Sequence, residues 1–362
     1  MDAMKTYALN RADAVSCIAR LGHKISYVIE GDQGIGKSAL MHDLQKLLPE
    51  HVLCYFDCNT KDVADAFVPD ISSAQTENVV RMVPNAEFGI QHGKPIILMI
   101  DEIAKAEGAL KRALNGVFHE RKIGLTPLPE GSIVFGTTNL SSENLGDVFE
   151  PHTIDRVCRV RMRKPSNMEW LEWGINNNIH PTVLGWVKDN PQLFHSFDDV
   201  ASPSDNLFIY HPNEVRDGWV TPRGLEKSSD IIHESDFIGD MATRSSLIGT
   251  IGAHAAGELM AFVTLFNQIP SHEEILESPD TAIVPTDAAA ACMVVARALV
   301  KMQAKDVSKW MKYLNRLDKG AQVLFGLQAK VKDYKHQQAV VSNKDFSAWA
   351  LNNSHIFSAD KK

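Results

Sequence analysis

The chain has 362 residues, which is long for one domain and predicts two or three domains of roughly 100 to 200 residues each. Hydrophobic residues make up 44% of the sequence, and Gly and Pro are not enriched, so a sizeable core can form and disorder along the whole chain is not expected. The net charge of -8 argues against a protein that coats nucleic acid.

Three further features bear on location. No segment is apolar for long enough to cross a bilayer, and the first eleven residues lack the apolar stretch of a secretion signal. The five cysteines are odd in number and widely scattered, which suits a reducing compartment. We therefore expect a cytoplasmic protein without membrane insertion, in which Cys54 and Cys58 are buried thiols rather than half of a metal site.

In chain order, residues 1–24 have apolar residues at helical spacing, and five apolar strands then alternate with helical segments. The strands are predicted at Ile25–Glu30, His51–Asp57, Pro95–Ile100, Ser132–Thr138 and Cys158–Met162. Because such continuous apolar strands require burial on both faces, the pattern predicts an α/β fold with a parallel sheet flanked by helices.

After Pro165 the apolar strands cease and helical patterns take over, apart from a loop-like stretch at residues 197–218. We therefore predict an αβα core at residues 1–164. A helical domain at residues 165–260 and a helical C-terminal extension at residues 261–362 are expected to follow it.

The first strand runs into a complete phosphate-loop pattern, GDQGIGKS, which lies before a helix and so has the context that makes the pattern meaningful. Its glycines let backbone N–H groups face phosphates, Lys37 reaches the terminal phosphates, and Ser38 gives an oxygen to Mg²⁺. A glycine-rich turn that binds nothing is the alternative. The sequence thus predicts an ATP site with Mg²⁺, formed by Gly31, Asp32, Gln33, Gly34, Ile35, Gly36, Lys37, Ser38 and Ala39.

Two carboxylates, Asp101 and Glu102, follow the third apolar strand directly. Ligands of open parallel sheets bind at the carboxyl ends of the strands. Asp101 is therefore predicted to hold Mg²⁺ through water, and Glu102 to polarise the water that attacks the terminal phosphate. The alternative is an ordinary acidic first turn of a helix.

The segment DEIAKAEGALKRALNGVFHERKI, from Asp101 to Ile123, and the segment LPEGSIVFGTTNL, from Leu128, resemble the MoxR-type branch of AAA+ ATPases. The resemblance implies that the core is a P-loop AAA+ domain and that residues 165–260 form its helical lid. It also implies that Asn139 is the sensor 1 residue, which orients the lytic water alongside Glu102. An Asn that caps the turn after the strand is the alternative.

The same resemblance implies roles for two arginines. The segment IDRV at residues 154–157 resembles the branch's Leu-Asp-Arg-Phe segment, whose arginine reaches the neighbouring subunit's nucleotide as an arginine finger. Arg156 is the candidate, Arg159 is the alternative because further arginines follow closely, and a plain surface charge is also open. The segment TPR at residues 221–223 resembles the sensor 2 motif, so Arg223 is expected to contact the phosphates from the lid.

The branch also carries two insertions, and residues 67–88 and 122–130 occupy their positions. In an assembled ring both would face the central pore, whereas flexible surface loops are the alternative. Members of the branch remodel or activate protein complexes, often with a partner that has a von Willebrand factor A domain. The resemblance therefore implies a chaperone-like ATPase in a homo-oligomeric ring, most simply a hexamer.

The last part of the chain is basic. Residues 301–362 contain 12 Lys and Arg against 5 Asp and Glu, a net +7 that leaves -15 for the rest. Five basic residues recur every three or four positions and are predicted to share one helical face, with Val307, Met311 and Leu314 opposite and Trp310 near the edge. These residues are Lys301, Lys305, Lys309, Lys312 and Arg316.

That face is either simply solvated or a docking surface for an acidic partner or a nucleic-acid backbone. The second possibility motivates an alternative function for the chain, which is a nucleic-acid-directed AAA+ motor or loader.

Overall fold

The computed structural model describes residues 3–140 and 155–357. The chain divides into two compact units, Met1–Lys164 and Pro165–Lys362. The first unit contains all the described strands, and the second is helical. The predicted α/β core followed by a helical region is confirmed.

The first unit is built on a five-stranded parallel sheet. The strands in the described residues of this unit are β1 (Tyr27–Gly31), β2 (Val52–Asp57), β3 (Phe67–Asp70), β4 (Arg81–Pro84), β5 (Ile96–Asp101), β6 (Lys122–Ile123), β7 (Thr126–Pro127), β8 (Ile133–Asn139) and β9 (Cys158–Arg161). The sheet has the order β2-β5-β8-β1-β9, with every pair parallel. These are the five strands predicted from the sequence, each within two residues of its predicted bounds.

Helices cover both faces of this sheet. The described helices of the first unit are α1 (Ala3–Thr6), α2 (Arg11–Leu21), α3 (Leu40–Leu47), α4 (Val63–Ala66), α5 (Ile71–Glu77) and α6 (Gly108–Glu120), and α2, α3 and α6 pack on the sheet. Along β5, Ile97 and Met99 pack in the hydrophobic cluster that includes α2 and α3, and Leu98 and Ile100 pack in the cluster that includes α6. Because successive side chains of a strand point to opposite faces, a strand covered on both faces needs apolar residues at every position.

The two segments predicted as insertions form hairpins. β3 and β4 pair antiparallel, with Phe67 opposite Pro84, and α5 lies between them in the chain. β6 and β7 form a second antiparallel pair. Several apolar side chains of the first hairpin are exposed, among them Ile71 and Val80. The predicted position of both hairpins in a ring pore stays a prediction.

The second unit has one continuous hydrophobic cluster, which runs from Trp170 to Ile356. Its helices are α7 (Asn167–Asn176), α8 (Pro181–Asp189), α9 (Pro222–His233), α10 (Ser235–Ile238), α11 (Asp240–Ile251), α12 (Ala253–Phe266), α13 (His272–Glu277), α14 (Ala288–Lys301), α15 (Val307–Leu314), α16 (Lys319–Ala329), α17 (Gln337–Val341) and α18 (Lys344–Asn352). The predicted boundary between residues 260 and 261 falls inside α12. No helix in residues 3–140 and 155–357 is long and apolar enough to cross a bilayer.

The basic residues after position 300 do not lie on one helix, so that prediction is wrong. α14 ends at Lys301, where Met302 turns the backbone out of helical geometry, and α15 begins only at Val307. Trp310 is fully buried rather than at the edge, because its ring packs against the rings of Tyr313 and Phe325 at 5.7 and 5.6 Å. Val307, Met311 and Leu314 are buried, as predicted.

Candidate nucleotide-binding site

The predicted site residues of the first unit lie at the carboxyl edge of the sheet. β8 pairs with β1 on one side and with β5 on the other. Parallel strands end at the same edge, so the end of β8 at Asn139 lies between the loop that follows β1 and the acidic pair that follows β5. The strand order therefore brings together residues that are up to about a hundred positions apart in sequence, such as Lys37 and Asn139.

The loop after β1 has the backbone that a phosphate loop requires. Gly34 and Gly36 have φ angles of +72° and +92°, a region that L-residues other than Gly seldom adopt. At Gly31 a Cβ atom would lie 2.8 Å from the carbonyl oxygen of Met162, so a side chain has no room there. The loop then runs through a tight turn into α3, and its shape fits the binding of phosphate by backbone N–H groups.

Lys37 is 7% exposed, and its ammonium group is held inside the loop. Its Nζ donates hydrogen bonds to the carbonyl oxygens of Gly31 at 2.9 Å and Asp32 at 2.8 Å, and to Oδ1 of Asn139 at 2.7 Å. Nδ2 of Asn139 in turn donates to Oε1 of Glu102 at 2.6 Å. The structure thus joins Lys37, Asn139 and Glu102, three residues predicted separately, in one hydrogen-bonded chain.

Asp101 is buried, and both of its carboxylate oxygens accept hydrogen bonds. Oδ1 accepts from the hydroxyl of Thr137 and from the backbone N–H of Glu102, the latter at 3.1 Å. Oδ2 accepts from the hydroxyl of Tyr55 at 2.8 Å and from that of Ser38 at 3.5 Å. A carboxylate and a serine hydroxyl this close are oxygen ligands that fit Mg²⁺, which binds proteins through one or two carboxylates and keeps several waters.

Glu102 combines backbone strain with partial burial. Its φ of +51° is left-handed, a conformation that costs a non-glycine residue about 1–3 kcal/mol and is found at functional sites. Burial raises the pKa of its carboxyl group, while the positive charge of Lys37 acts in the opposite direction. A raised pKa makes the carboxylate a better proton acceptor, which suits a general base.

Sequence reasoning missed Thr137 and Tyr55. Thr137 precedes Asn139 by two residues on the same strand, so the two side chains point to the same side of the sheet. The position of Thr137 could therefore have been predicted from this alternation in the sequence. Tyr55 lies on β2, beside β5, and only the register of that pair, with Asp57 opposite Asp101, brings its hydroxyl to Asp101.

The hydroxyl of Tyr55 gives a testable prediction. We expect Tyr55→Phe to raise the Mg²⁺ concentration needed for half-maximal ATP hydrolysis by about tenfold, because groups that orient a metal-binding carboxylate typically contribute that much to metal affinity. A magnesium titration at saturating ATP measures it. Tyr7→Phe, at a tyrosine that is 80% exposed, is the control. An unchanged magnesium requirement would show that Thr137 and Ser38 suffice to orient Asp101.

The predicted arginines are placed differently. Arg156 is exposed. The structure does not describe residues 141–154, which include Ile154, the first residue of the IDRV segment. Nε of Arg159 donates to Oε1 of the buried Glu30 at 2.7 Å, so its guanidinium is held by its own chain. Arg223 is exposed in the first turn of α9, in the second unit. Their roles toward nucleotide stay predictions.

In the described part of the chain, neither a cysteine nor a cluster of metal-type side chains supplies a further metal ligand to this site. Cys54 and Cys58 are buried free thiols, as predicted, and burial raises the pKa of both. Within the described residues, no group of three or more His, Cys, Asp and Glu side chains is arranged to hold a metal ion. The role of Ser38 and Asp101 as magnesium ligands stays a prediction.

Comparisons with known proteins agree with this geometry. The family described as "AAA domain (dynein-related subfamily)" matches residues 26–143, which include the phosphate loop, the acidic pair and Asn139. No curated protein sequence matches the chain.

Solved structures that the chain matches include one of Hsp104 and one of RuvB. A closed-state reconstruction of Hsp104 with ATPγS and FITC casein is 17% identical over 46% of this chain and 33% of that one, with a TM-score of 0.32, so the chain spans a third of the Hsp104 chain. The RuvB Holliday junction branch migration motor of Thermotoga maritima is 15% identical over 74% of each chain, with a TM-score of 0.36. By its sheet, its phosphate loop and its matching family, the first unit has the AAA+ P-loop ATPase fold.

Proposed function

We propose that the protein binds ATP with Mg²⁺ at the edge of the sheet and hydrolyses it in a homo-oligomeric ring, in order to remodel or activate a protein partner. The observation that supports hydrolysis most directly is the hydrogen-bonded chain from Lys37 through Asn139 to Glu102, beside the pair formed by Ser38 and Asp101. A positive charge, a water-orienting amide and a general base are the groups that phosphoryl transfer to water needs.

Each of these residues has a distinct task in the proposed reaction. Ser38 and Asp101 would hold Mg²⁺, which when bound neutralises charge on the phosphate oxygens. Lys37 places a positive charge on the floor of the phosphate loop. Glu102 accepts a proton from the attacking water, and Asn139, already bonded to its carboxylate, fixes the orientation of that carboxylate.

The finer assignment to the MoxR-type branch rests on the order and spacing of the motifs and on the insertion hairpin β3–β4. It implies a hexamer, a lid that supplies Arg223, and a partner such as a von Willebrand factor A domain protein. Arg156 is the proposed arginine finger rather than Arg159, because Arg156 is exposed and Arg159 is engaged with Glu30. A planar guanidinium with a permanent charge suits the charge that spreads over phosphoryl oxygens in the transition state.

Mixing two inactive variants tests the ring. Glu102→Gln subunits keep the arginine, and Arg156→Ala subunits keep the base. In a head-to-tail ring, a complete site forms at each interface where an Arg156→Ala subunit supplies Glu102 and its neighbour, a Glu102→Gln subunit, supplies Arg156. Random mixing gives this order at about a quarter of the interfaces, so we expect an equimolar mixture to recover up to about a quarter of the wild-type sites. Phosphate release measures the recovery.

The control mixes Glu102→Gln with Glu102→Ala, a pair that cannot form a complete site at any interface. Recovery with the first pair and none with the control supports sites shared between subunits. If native mass spectrometry shows that the subunits have exchanged and the first pair stays inactive, the proposed arginine finger is wrong.

A further inference from the structure

A row of lysines on α15 and the turn before it forms an exposed surface, which we call the lysine face and define as Lys305, Lys309 and Lys312. All three side chains are exposed. Lys309 and Lys312 are three residues apart and lie on one side of α15, and Lys305 lies in the turn that precedes the helix. The opposite side of α15 is buried in the core of the second unit. The lysine face is therefore a rigid surface, because the helix beneath it is fixed by packing.

The three lysines are not neutralised by neighbouring carboxylates. Within residues 3–140 and 155–357 none of them forms an ion pair, whereas Lys301, just before them, pairs with Glu273 at 3.2 Å. Arg316 extends the row past the end of α15 and is fixed there, since its Nη1 donates to the carbonyl oxygen of Pro279 at 2.7 Å. The positive charge of the lysine face is thus available to an external anion.

The composition of this surface fits a phosphate backbone better than a protein partner. Among residues 301–343, all of which the structure describes, Val341 is the one large apolar side chain that is exposed, and no Phe, Tyr or Trp side chain is exposed. Protein interfaces are enriched in aromatic residues and depleted in Lys, whereas contacts to a nucleic-acid backbone are made by Lys and Arg. Proteins that bind single strands also stack bases on aromatic side chains, and this surface offers none, so a duplex is the better match.

An open cleft adjoins the lysine face. It has a volume of about 480 Å³ and is lined by Ala304, Gln338, Ala339, Ser342 and Asn343. The Nδ2 of Asn343 donates to Oγ of Ser308 at 3.1 Å, which ties the start of α18 to the first turn of α15. Ser, Asn and Gln side chains are common partners of phosphate and sugar oxygens, so the cleft continues the surface that a backbone could contact.

The part of the second unit that precedes the lysine face in sequence is strongly acidic. Residues 165–300 contain 19 Asp and Glu against 6 Lys and Arg. The positive net charge of the second unit is therefore confined to residues 301–362, which include the lysine face. We infer that the lysine face is a docking surface for the phosphate backbone of double-stranded DNA and that it binds without reading sequence. This activity is additional to the proposed remodelling ATPase.

Fluorescence anisotropy with a labelled 20-base-pair duplex, measured over a range of salt concentrations, tests the inference. The test variant carries Lys305→Glu, Lys309→Glu and Lys312→Glu together. The matched control carries Lys24→Glu, Lys94→Glu and Lys227→Glu, which changes the net charge equally at exposed lysines elsewhere. We expect the wild type to bind two duplexes of unrelated sequence equally, the test variant to lose at least tenfold in affinity, and the control to change less than twofold.

The salt dependence gives an independent readout. Each phosphate neutralised by a lysine contributes about -0.9 to the slope of log K against log salt concentration, so the test variant should lose about 2.7 of that slope. Lys→Gln at the same three positions is a milder second variant, and thermal unfolding shows that each variant is folded. The inference is overturned if the wild type does not bind the duplex, if test and control variants lose affinity equally, or if polyglutamate or single-stranded DNA binds more tightly. ATP hydrolysis, assayed without DNA, reports separately on the proposed function.

Discussion

We expect Glu102→Gln to lower kcat for ATP hydrolysis by about 100- to 10,000-fold, which is the range that general-base catalysis contributes. The amide cannot accept a proton from water, but it is nearly isosteric and can still accept the hydrogen bond from Asn139. ATP affinity should therefore stay within a few-fold of wild type. Phosphate release gives kcat, and equilibrium binding of a fluorescent ATP analogue gives the affinity.

Glu107→Gln is the matched control, since Glu107 is exposed five residues further along the chain. It should leave both kcat and affinity unchanged. Loss of affinity in Glu102→Gln equal to its loss of rate would assign Glu102 to nucleotide binding rather than to the chemical step.

The pH dependence of the wild type follows from the same residue. Burial raises the pKa of Glu102, and the base must be deprotonated to act. kcat should therefore rise with pH through that raised pKa and fall on acidification at a pH where an exposed glutamate would still be charged. The residual activity of Glu102→Gln should lack this acidic limb, which a pH profile of the two enzymes can show.

Lys37→Ala should have the second large effect, on binding. The ammonium of Lys37 is the positive charge on the floor of the phosphate loop, and hydrogen bonds to charged groups contribute about 1.5–3 kcal/mol each, so we expect ATP affinity to fall by about 10- to 100-fold. The same change also removes the donor that holds Oδ1 of Asn139, so kcat should fall together with affinity.

Lys46→Ala, on α3 and largely exposed, is the control and should bind ATP as the wild type does. Thermal unfolding of both variants checks that the loop change does not unfold the core. Unchanged ATP affinity in a folded Lys37→Ala protein would contradict the assignment of GDQGIGKS as the nucleotide site.

The sequence predicted the sheet well because burial on both faces leaves a continuous apolar pattern that few other structures produce. Ile96–Ile100 could only be a strand of this kind, and its polar successors Asp101 and Glu102 could be placed at the sheet edge. The contact between Lys37 and Asn139 required one more fact, that β8 lies next to β1, which no local pattern contains.

The failures have the same cause. Tyr55 resembles any exposed strand residue until the register of β2 against β5 is known, and then it contacts Asp101. The periodicity of residues 301–316 predicts one helix with Trp310 at its edge. The break at Met302 and the aromatic rings that surround Trp310 depend on tertiary packing, which local periodicity does not specify.

β8 also connects the two halves of the site mechanically. One of its side chains, Thr137, touches the carboxylate proposed to hold the metal ion, and another, Asn139, touches both the lysine and the base. Because the two are separated by a single pleat, a displacement of this strand would move both side chains and so disturb both metal affinity and water activation. Packing defects beneath β8, for example at Phe135, should therefore reduce metal affinity and the rate of hydrolysis together.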